Sequence, residues 1–244
     1  MRLTLLTGNE VAAALTNCRV IVVGVGGVGS WCAEALVRSG VGNISLIDSD
    51  IVCVTNTNRQ IQATNSSIGR LKAQVLAERL QDINPFCTVK AFPELFTRES
   101  AGKFDISGAD YVIDAIDTLE FKLDLIESAL SAGCRLFSSM GMAKKLDPSQ
   151  VKSADIWKTS GCSLARLVRQ GLRKRNINTN FLAVYSTESF NNDALHEPSG
   201  GKKALGSAVT VTATAGFLLA SLVIRDIIAR FSPANSELQG GFYE

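Results

Sequence analysis

The sequence predicts an α/β fold with a doubly wound, mostly parallel sheet, and three observations support this class. Residues 19–23, Arg-Val-Ile-Val-Val, form a β-branched run that is typical of a strand buried on both faces. Glycines follow directly, and from Ser30 the chain has the pattern of a helix. Further apolar runs at residues 43–47 and 111–116 each precede a helix-like segment, which is the alternation expected of a parallel sheet.

The composition is that of a globular protein with a substantial core. Of the 244 residues, 46% are hydrophobic and 20% are charged, which favours one extended domain. The net charge is only +2, so nucleic-acid binding would depend on locally clustered basic residues. The six cysteines include no CxxC pair, and the N-terminus has no signal sequence. We therefore expect no structural zinc, thiols that are buried or incidental, and a cytoplasmic location.

The glycines between the first strand and the first helix have the GxGxxG spacing of a Rossmann-like nucleotide loop. Gly24 permits the turn, Gly26 lets a phosphate approach the backbone, and Gly29 lets the helix pack on the strand. Asp48 ends the second predicted strand, where its carboxylate can accept ribose hydroxyls. These features predict a nucleotide site rather than a bare structural turn. They fit NAD and ATP equally, because both carry an adenosine ribose.

Two basic residues downstream favour a triphosphate. Arg59 ends the polar loop at residues 55–59, and its planar set of donors suits phosphate oxygens, although it could also cap a turn. Lys72 lies in the first turn of an amphipathic helix predicted over residues 69–85. A cation is unfavourable in a first turn unless an anion lies nearby, and a phosphate would supply that anion.

An acidic residue at the same edge of the predicted sheet favours a metal. Asp117 follows the strand over residues 111–116, and a single carboxylate with substrate phosphates is a common way to hold Mg2+. The alternative is that Asp117 caps the helix predicted over residues 119–132. Asp114, inside the strand, is predicted either to be structural or to contact residues of the site rather than the ligand. Together with Arg59 and Lys72, Asp117 favours ATP and Mg2+ over NAD.

The ordered set Gly-Val-Gly-Gly-Val-Gly, Asp48, Thr-Asn-Thr-Asn-Arg-Gln, Lys72 and Asp-Ala-Ile-Asp-Thr resembles the ubiquitin-activating superfamily of adenylating enzymes. The resemblance covers nearly the whole chain and is strong again at residues 206–217. It is greatest to the branch that cyclises N6-threonylcarbamoyladenosine in tRNA. Those enzymes use ATP and Mg2+ to activate the carboxylate of the threonylcarbamoyl group, which then closes a ring with loss of water.

The resemblance also implies roles for individual residues. Arg2 matches an arginine that reaches into the partner subunit's ATP site, which implies a homodimer with Arg2 acting in trans. Arg59, Lys72 and Arg2 would offset charge that develops on the phosphates, and Asp117 would be the acidic residue that acts through Mg2+. The implied nucleotide site comprises Gly24, Gly26, Gly27, Gly29, Asp48, Asn58, Arg59, Lys72 and Asp117. The resemblance leaves open whether the protein binds a monovalent cation and whether a sulfur-transfer partner assists it.

A basic segment follows the predicted core. Residues 156–187 contain no acidic residue. The segment carries an apolar stripe at Leu164, Leu167, Val168 and Leu172, and cations at Lys158, Arg166, Arg169, Arg173, Lys174 and Arg175. We interpret it as a helix that docks by one face and offers the other to tRNA phosphates, the alternative being an ordinary solvated face. DNA is not an expected partner.

The last apolar run and the domain boundaries complete the prediction. Residues 207–224 carry no charge and are just long enough for a membrane-spanning helix. We interpret them instead as a helix buried against the sheet, without membrane association. Residues 232–244 have the composition of a frayed tail. We treat 1–244 as a single ATP-binding adenylating domain, with its core at 1–140 and 205–232 and an irregular crossover and basic segment at 141–204.

Two alternative functions follow from the same residues. A related enzyme could adenylate the C-terminus of a ubiquitin-like sulfur carrier, but the basic segment and the lack of paired cysteines argue against it. An NAD-dependent oxidoreductase would use the same glycine loop. Arg59, Lys72 and Asp117 argue against that class.

Overall fold

The computed structural model describes residues 2–188 and 205–231. These residues form helices and strands in an alternating order. The helices are α1 (Arg2–Asn17), α2 (Gly29–Arg38), α3 (Lys72–Ile83), α4 (Leu119–Ser131), α5 (Ser163–Lys174) and α6 (Val209–Phe231). The strands are β1 (Arg19–Val23), β2 (Asn43–Ile47), β3 (Thr88–Phe92), β4 (Tyr111–Asp114), β5 (Arg135–Ser139), β6 (Val151–Asp155) and β7 (Leu182–Ser186).

All seven strands belong to one sheet, in the order β3-β2-β1-β4-β5-β7-β6. Neighbouring strands are parallel, except that β6 runs antiparallel to β7 at the edge. The prediction of a doubly wound, mostly parallel sheet is therefore confirmed. The strand order reverses between β1 and β4, and in such sheets ligands bind in the crevice at the carboxyl ends of these two strands.

Helices cover both faces of the sheet, which explains the unbroken apolar character of β1. Val20 and Val22 point into one core, which includes Leu36 of α2 and Leu219 of α6. Ile21 and its neighbours on the opposite face point into a second core with residues of α4 and α5. Alternate residues of the strand thus enter different layers, as the period of two requires.

The central strands lie close to their predicted positions. The bounds of β1 and β2 are those that the apolar runs predicted. Strand β4 ends at Asp114 rather than at residue 116, because the amide of Ile116 donates to the Asp114 side chain instead of to a neighbouring strand. Helix α3 begins at Lys72 rather than at residue 69, since Leu71 still forms a bridge with Ile51.

The segment after β5 is more regular than predicted. The expected irregular crossover contains β6, α5 and β7, and both strands extend the central sheet. All five residues of β7 are buried, so its short apolar run is a core strand. In α5 the buried stripe is Ala165, Val168 and Leu172, whereas Leu167, which we placed in the stripe, is 39% exposed.

Helix α6 is long and apolar enough to cross a membrane by length and composition alone. In this fold it is a core helix that packs on α2, and Gly216 permits the close approach. A Cβ added at Gly216 would lie 2.5 Å from the carbonyl oxygen of Val28. The interpretation of residues 207–224 as a buried helix is confirmed from Val209 onward. The predicted tail at 232–244, and residues 189–204 of the crossover, lie outside the described residues.

Candidate nucleotide site

The glycine loop connects β1 to α2 at the crevice between β1 and β4. Gly24 has a φ of 85°, and a Cβ there would lie 2.7 Å from the carbonyl oxygen of Ala115, so the position requires glycine on both counts. A Cβ at Gly29 would collide with the carbonyl oxygen of Gly24. At Gly26 the space is open, since an added Cβ would meet only Gln60 Nε2, at 3.8 Å. The loop therefore leaves the backbone accessible at the position where a phosphate is expected to approach.

Asp48 fixes the start of this loop. Its Oδ2 accepts a hydrogen bond of 2.8 Å from the amide of Val25, and its Oδ1 accepts one of 2.9 Å from the amide of Asp50. Burial raises the pKa of Asp48, although these amides and nearby Lys72 act in the opposite direction. The carboxylate thus shapes the loop, in addition to the ribose contact that the sequence predicts for it.

Arg59 and Asn58 lie against the loop. The methylene groups of Arg59 are 3.2 Å from the position of a Cβ at Gly27, and its guanidinium donates to the carbonyl oxygen of Thr55 at 2.9 Å and to Asn58 Oδ1 at 3.0 Å. Asn58 Nδ2 donates to the carbonyl oxygen of Ser207 at 2.9 Å. Arg59 therefore stabilises the turn, as the alternative interpretation expected, and it also lies beside the glycines. Its remaining N–H groups can donate to an anion there.

Lys72 is held by a carboxylate. Its ammonium lies 2.7 Å from Asp50 Oδ2, and its side chain is only 8% exposed whereas that of Asp50 is 68% exposed. The same lysine is close enough to Asp48 to oppose part of the rise that burial causes in the pKa of that carboxyl. The structure thus brings Lys72 to the end of β2, with Asp50 as its partner in the described part of the chain.

Asp117 lies in the turn after β4, exposed at the carboxyl edge of the sheet. The residue that caps α4 is Thr118, so the alternative that Asp117 is the cap is wrong. Thr118 Oγ1 is 3.4 Å from Asp117 Oδ1. As predicted, Asp114 is structural: it is fully buried and paired with Lys122 at 2.8 Å.

Arg2 is the one predicted residue that the structure does not join to this cluster. It is exposed at the start of α1, and among the described residues no hydrogen bond or ion pair connects it with the glycine loop.

The thiols lie mostly inside the protein. Cys18, Cys32, Cys87 and Cys162 are buried, Cys134 is half-buried and Cys53 is exposed. Burial raises the pKa of Cys18 to about 12 and that of Cys87 to about 11. No group of three or more His, Cys, Asp or Glu side chains that could hold a metal is found in the described ranges.

Two glutamines that the sequence reading missed lie behind the loop. Gln62 Nε2 donates to the carbonyl oxygen of Val25 at 2.7 Å, and Gln60 lies beside Gly26. Gln60 is 5% exposed and Gln62 is 2% exposed, and in the described part of the chain neither amide oxygen has a hydrogen-bond partner. The sequence signal for them was their position in the polar stretch Asn-Arg-Gln-Ile-Gln, directly after Arg59. Side-chain amides at such a position are expected to bind the backbone of a neighbouring loop.

A doubly wound sheet with a glycine loop at its switch point, an acidic residue after each adjoining strand and an arginine over the loop defines a nucleotide-binding α/β protein. The profile of the ThiF family matches residues 1–243. The chain belongs to the ThiF family.

Relatives of known name match most of the chain. A tRNA threonylcarbamoyladenosine dehydratase of Bacillus subtilis is 46% identical over 182 residues, which are 75% of this chain and 72% of that protein. The enzyme of the same name from Escherichia coli is 36% identical over 92% of this chain and 91% of its own length. The solved structure of E. coli tRNA N6-threonylcarbamoyladenosine dehydratase in complex with ATP has a TM-score of 0.85, with 36% identity and coverage of 93% and 92%.

A sulfur carrier protein adenylyltransferase of Thermus thermophilus is similar over less of the chain. It is 35% identical over 126 residues, which are 52% of this chain. The similarity to the tRNA-modifying relatives therefore extends well beyond the part shared with the sulfur-carrier enzymes.

Proposed function

We infer that this protein is an ATP-dependent tRNA threonylcarbamoyladenosine dehydratase. The observation that carries this inference is a match, over nearly the full length of both chains, to an ATP-bound dehydratase, in a chain whose glycine loop, Arg59 and Asp117 lie at one crevice. We treat residues 1–244 as one adenylating domain.

The proposed reaction has two steps. A carboxylate oxygen of the threonylcarbamoyl group attacks the α-phosphorus of ATP, and pyrophosphate leaves. A nitrogen or oxygen of the same group then attacks the activated carbonyl carbon and AMP leaves, taking the oxygen that is formally lost as water. The second step is intramolecular, so a high effective concentration replaces a protein nucleophile.

The described side chains support the first step by binding and charge. The loop from Gly24 to Gly29 presents its backbone to the phosphates, and Asn58 and Arg59 are placed to contact the same group. The Lys72 ammonium donates to Asp50 and has further donors that can bind a phosphate. Asp50 therefore holds the Lys72 ammonium at the end of β2, beside the loop.

The acidic residue at the crevice fits a divalent cation. Asp117 offers an exposed carboxylate two residues after Ala115, whose carbonyl oxygen lies against Gly24. One carboxylate with substrate phosphates is a usual mode of Mg2+ binding. Bound there, Mg2+ would neutralise charge that develops on the phosphate oxygens. We therefore assign Asp117 as the residue that holds it.

The partners proposed for this chain are tRNA and a second copy of itself. In the homodimer, Arg2 of one subunit would reach the ATP site of the other. Mixing Arg2→Ala subunits with Lys72→Ala subunits should then restore part of the activity that each variant lacks. Activity that stays absent in the mixture would contradict the action in trans.

Helix α5 is the surface we propose for tRNA phosphates. Two of its cationic side chains make contacts within the protein. Arg169 donates to Thr159, and the Arg173 guanidinium lies 5.3 Å from the centre of the Trp157 ring. The cations left at the solvent-exposed surface of the helix include Arg166 and Lys174.

Charge reversal at Arg166 and Lys174 should weaken tRNA binding and lower its dependence on salt concentration by about one unit of slope per lost contact. The matched control is Lys90→Glu, an exposed lysine on β3 at the opposite edge of the sheet. An equal loss in the control would indicate a general charge effect and would contradict the assignment of α5.

The function itself is tested by mass analysis of tRNA nucleosides before and after incubation with the protein and ATP. We expect threonylcarbamoyladenosine to lose the mass of one water, with pyrophosphate release that depends on the modified tRNA. Release that required a sulfur-carrier protein and ignored tRNA would establish the alternative function instead. Repeating the assay in Na+ and in K+ tests whether a monovalent cation is needed. Activity of the purified protein alone would show that no sulfur-transfer partner is needed.

We propose the cytoplasm as the place where this reaction occurs.

A further inference from the structure

An ion pair is fully buried beneath the turn that carries Asp117. Asp114 at the end of β4 and Lys122 in the first turns of α4 have no exposed side-chain surface, and their charged atoms are 2.8 Å apart. Removing two charges from water is costly, so such a pair persists only with further hydrogen bonds. Ser138 of β5 supplies one by donating to Asp114 Oδ2 at 2.6 Å.

The pair binds both backbone groups of the residue before Asp117. Lys122 Nζ donates to the carbonyl oxygen of Ile116 at 2.8 Å. Asp114 Oδ1 accepts from the amide of Ile116 at 3.1 Å. The peptide groups on either side of Ile116 are therefore fixed by two buried, charged side chains, and charge-assisted hydrogen bonds of this kind are the strong ones.

The other side of the turn rests on the glycine loop. The amide of Ala115 donates to the carbonyl oxygen of Val23 at 2.9 Å, and its own carbonyl oxygen lies 2.7 Å from the position of a Cβ at Gly24. A shift of the turn would therefore change the distance between Asp117 and the loop that is expected to hold the phosphates.

We propose that Lys122, locked by Asp114, is a positioning residue that fixes the 115–117 turn and thereby sets the place of the Asp117 carboxylate for a divalent cation on ATP. This rests on the proposed function only in taking Asp117 as the acidic residue. Neither Lys122 nor Asp114 reaches solvent, so neither would touch the nucleotide itself.

The test uses the double variant Asp114→Asn/Lys122→Met, which removes both charges at similar side-chain size and leaves an acceptor for the Ile116 amide. ATP binding to the full chain is measured by calorimetry, without tRNA, in Mg2+ and in EDTA. We expect binding in Mg2+ to weaken about tenfold, which is typical for loss of a group that orients a metal ligand. Binding in EDTA should stay unchanged.

A thermodynamic cycle with Asp117→Asn separates positioning from a general loss of stability. If Lys122 acts through Asp117, adding Asp114→Asn/Lys122→Met to the Asp117→Asn variant causes no further loss of Mg2+-dependent binding. Additive losses would overturn the proposal. The control is Glu34→Gln/Arg79→Met, which removes an ion pair between buried Glu34 of α2 and half-exposed Arg79 of α3. It should lower the melting temperature without affecting the Mg2+ increment, which is the ratio of ATP affinity in Mg2+ to that in EDTA.

Should the double variant fail to fold, Ser138→Ala carries the test, because it removes only the hydroxyl that donates to Asp114. It should weaken Mg2+-dependent binding roughly two- to tenfold, in line with the loss of one hydrogen bond. An unchanged increment in Ser138→Ala, or an equal loss in the control, would contradict the proposal. Because no tRNA is present, these outcomes are independent of whether the chain dehydrates threonylcarbamoyladenosine.

Discussion

Replacing Gly26 by alanine should separate ATP binding from folding. A Cβ at Gly26 would meet only Gln60 Nε2, at an ordinary contact distance of 3.8 Å, so the folded protein accepts it. Removing a glycine then stabilises by about 0.4–1 kcal/mol through the unfolded chain. The new methyl group, however, occupies the space through which a phosphate would approach the backbone.

The expected loss of affinity follows from the hydrogen bond that is blocked. A backbone N–H to a charged phosphate oxygen contributes about 1.5–3 kcal/mol, which corresponds to roughly 10- to 150-fold weaker ATP binding. Calorimetric titration with ATP gives the affinity, and thermal unfolding gives the stability of the same sample. We expect a lower affinity with an equal or slightly higher melting temperature.

Gly69→Ala is the matched control. Gly69 has a φ of 85°, the same as Gly24, but nothing lies within 4 Å of an added Cβ. The variant should lose about 1–2 kcal/mol of stability to backbone strain and keep its ATP affinity. Wild-type affinity in Gly26→Ala, or an equal loss in Gly69→Ala, would refute the assignment of the loop as a phosphate site.

Three further outcomes are expected. Arg59→Ala should slow pyrophosphate formation by about one to two orders of magnitude in a tRNA-dependent assay, because it removes donors near the developing charge; an unchanged rate would remove Arg59 from the site. In a thiol-labelling time course followed by peptide mass analysis, exposed Cys53 should react first, since burial shields Cys18 and Cys87 and raises the pKa of both; earlier labelling of Cys18 would contradict the packing. Burial also raises the pKa of Asp48, so ionising it destabilises the folded state. The free energy of unfolding in urea is compared between the wild-type protein and Asp48→Asn at several pH values. The wild-type value should fall relative to the variant as the pH rises from about 4 through the native pKa. Parallel profiles would show that the pKa of Asp48 is not raised in the folded state.

Local patterns were sufficient for the centre of the fold. The β-branched run of β1 and the apolar run of β2 gave the bounds of both strands, because a strand buried on both faces leaves a continuous apolar signal. The glycine spacing and Asp48 located the loop, since each has a steric or hydrogen-bonding requirement within a short stretch. The edge strands were harder, because β6 is only partly buried and its residues alternate weakly.

Residue type alone did not show how the site is held together. Arg59 and Lys72 were predicted as phosphate ligands, but the sequence did not indicate that Lys72 pairs with Asp50 or that Arg59 donates to Thr55. Lys122 had no signal at all, since a lysine in an amphipathic helix is ordinarily solvated. Its burial follows from the packing of α4 over the end of β4.

The sequence by itself determined the class of fold and the position of the glycine loop, because these depend on periodicity and on spacings within about 30 residues. It indicated the family through the resemblance of an ordered set of motifs between Gly24 and Asp117. The tertiary structure decided which charged groups meet. Asp114, Lys122 and Ser138 come from three elements, and they form one buried network only when β4, β5 and α4 pack. Long-range contacts of this kind depend on the packing of whole elements, and a local pattern carries no information about them.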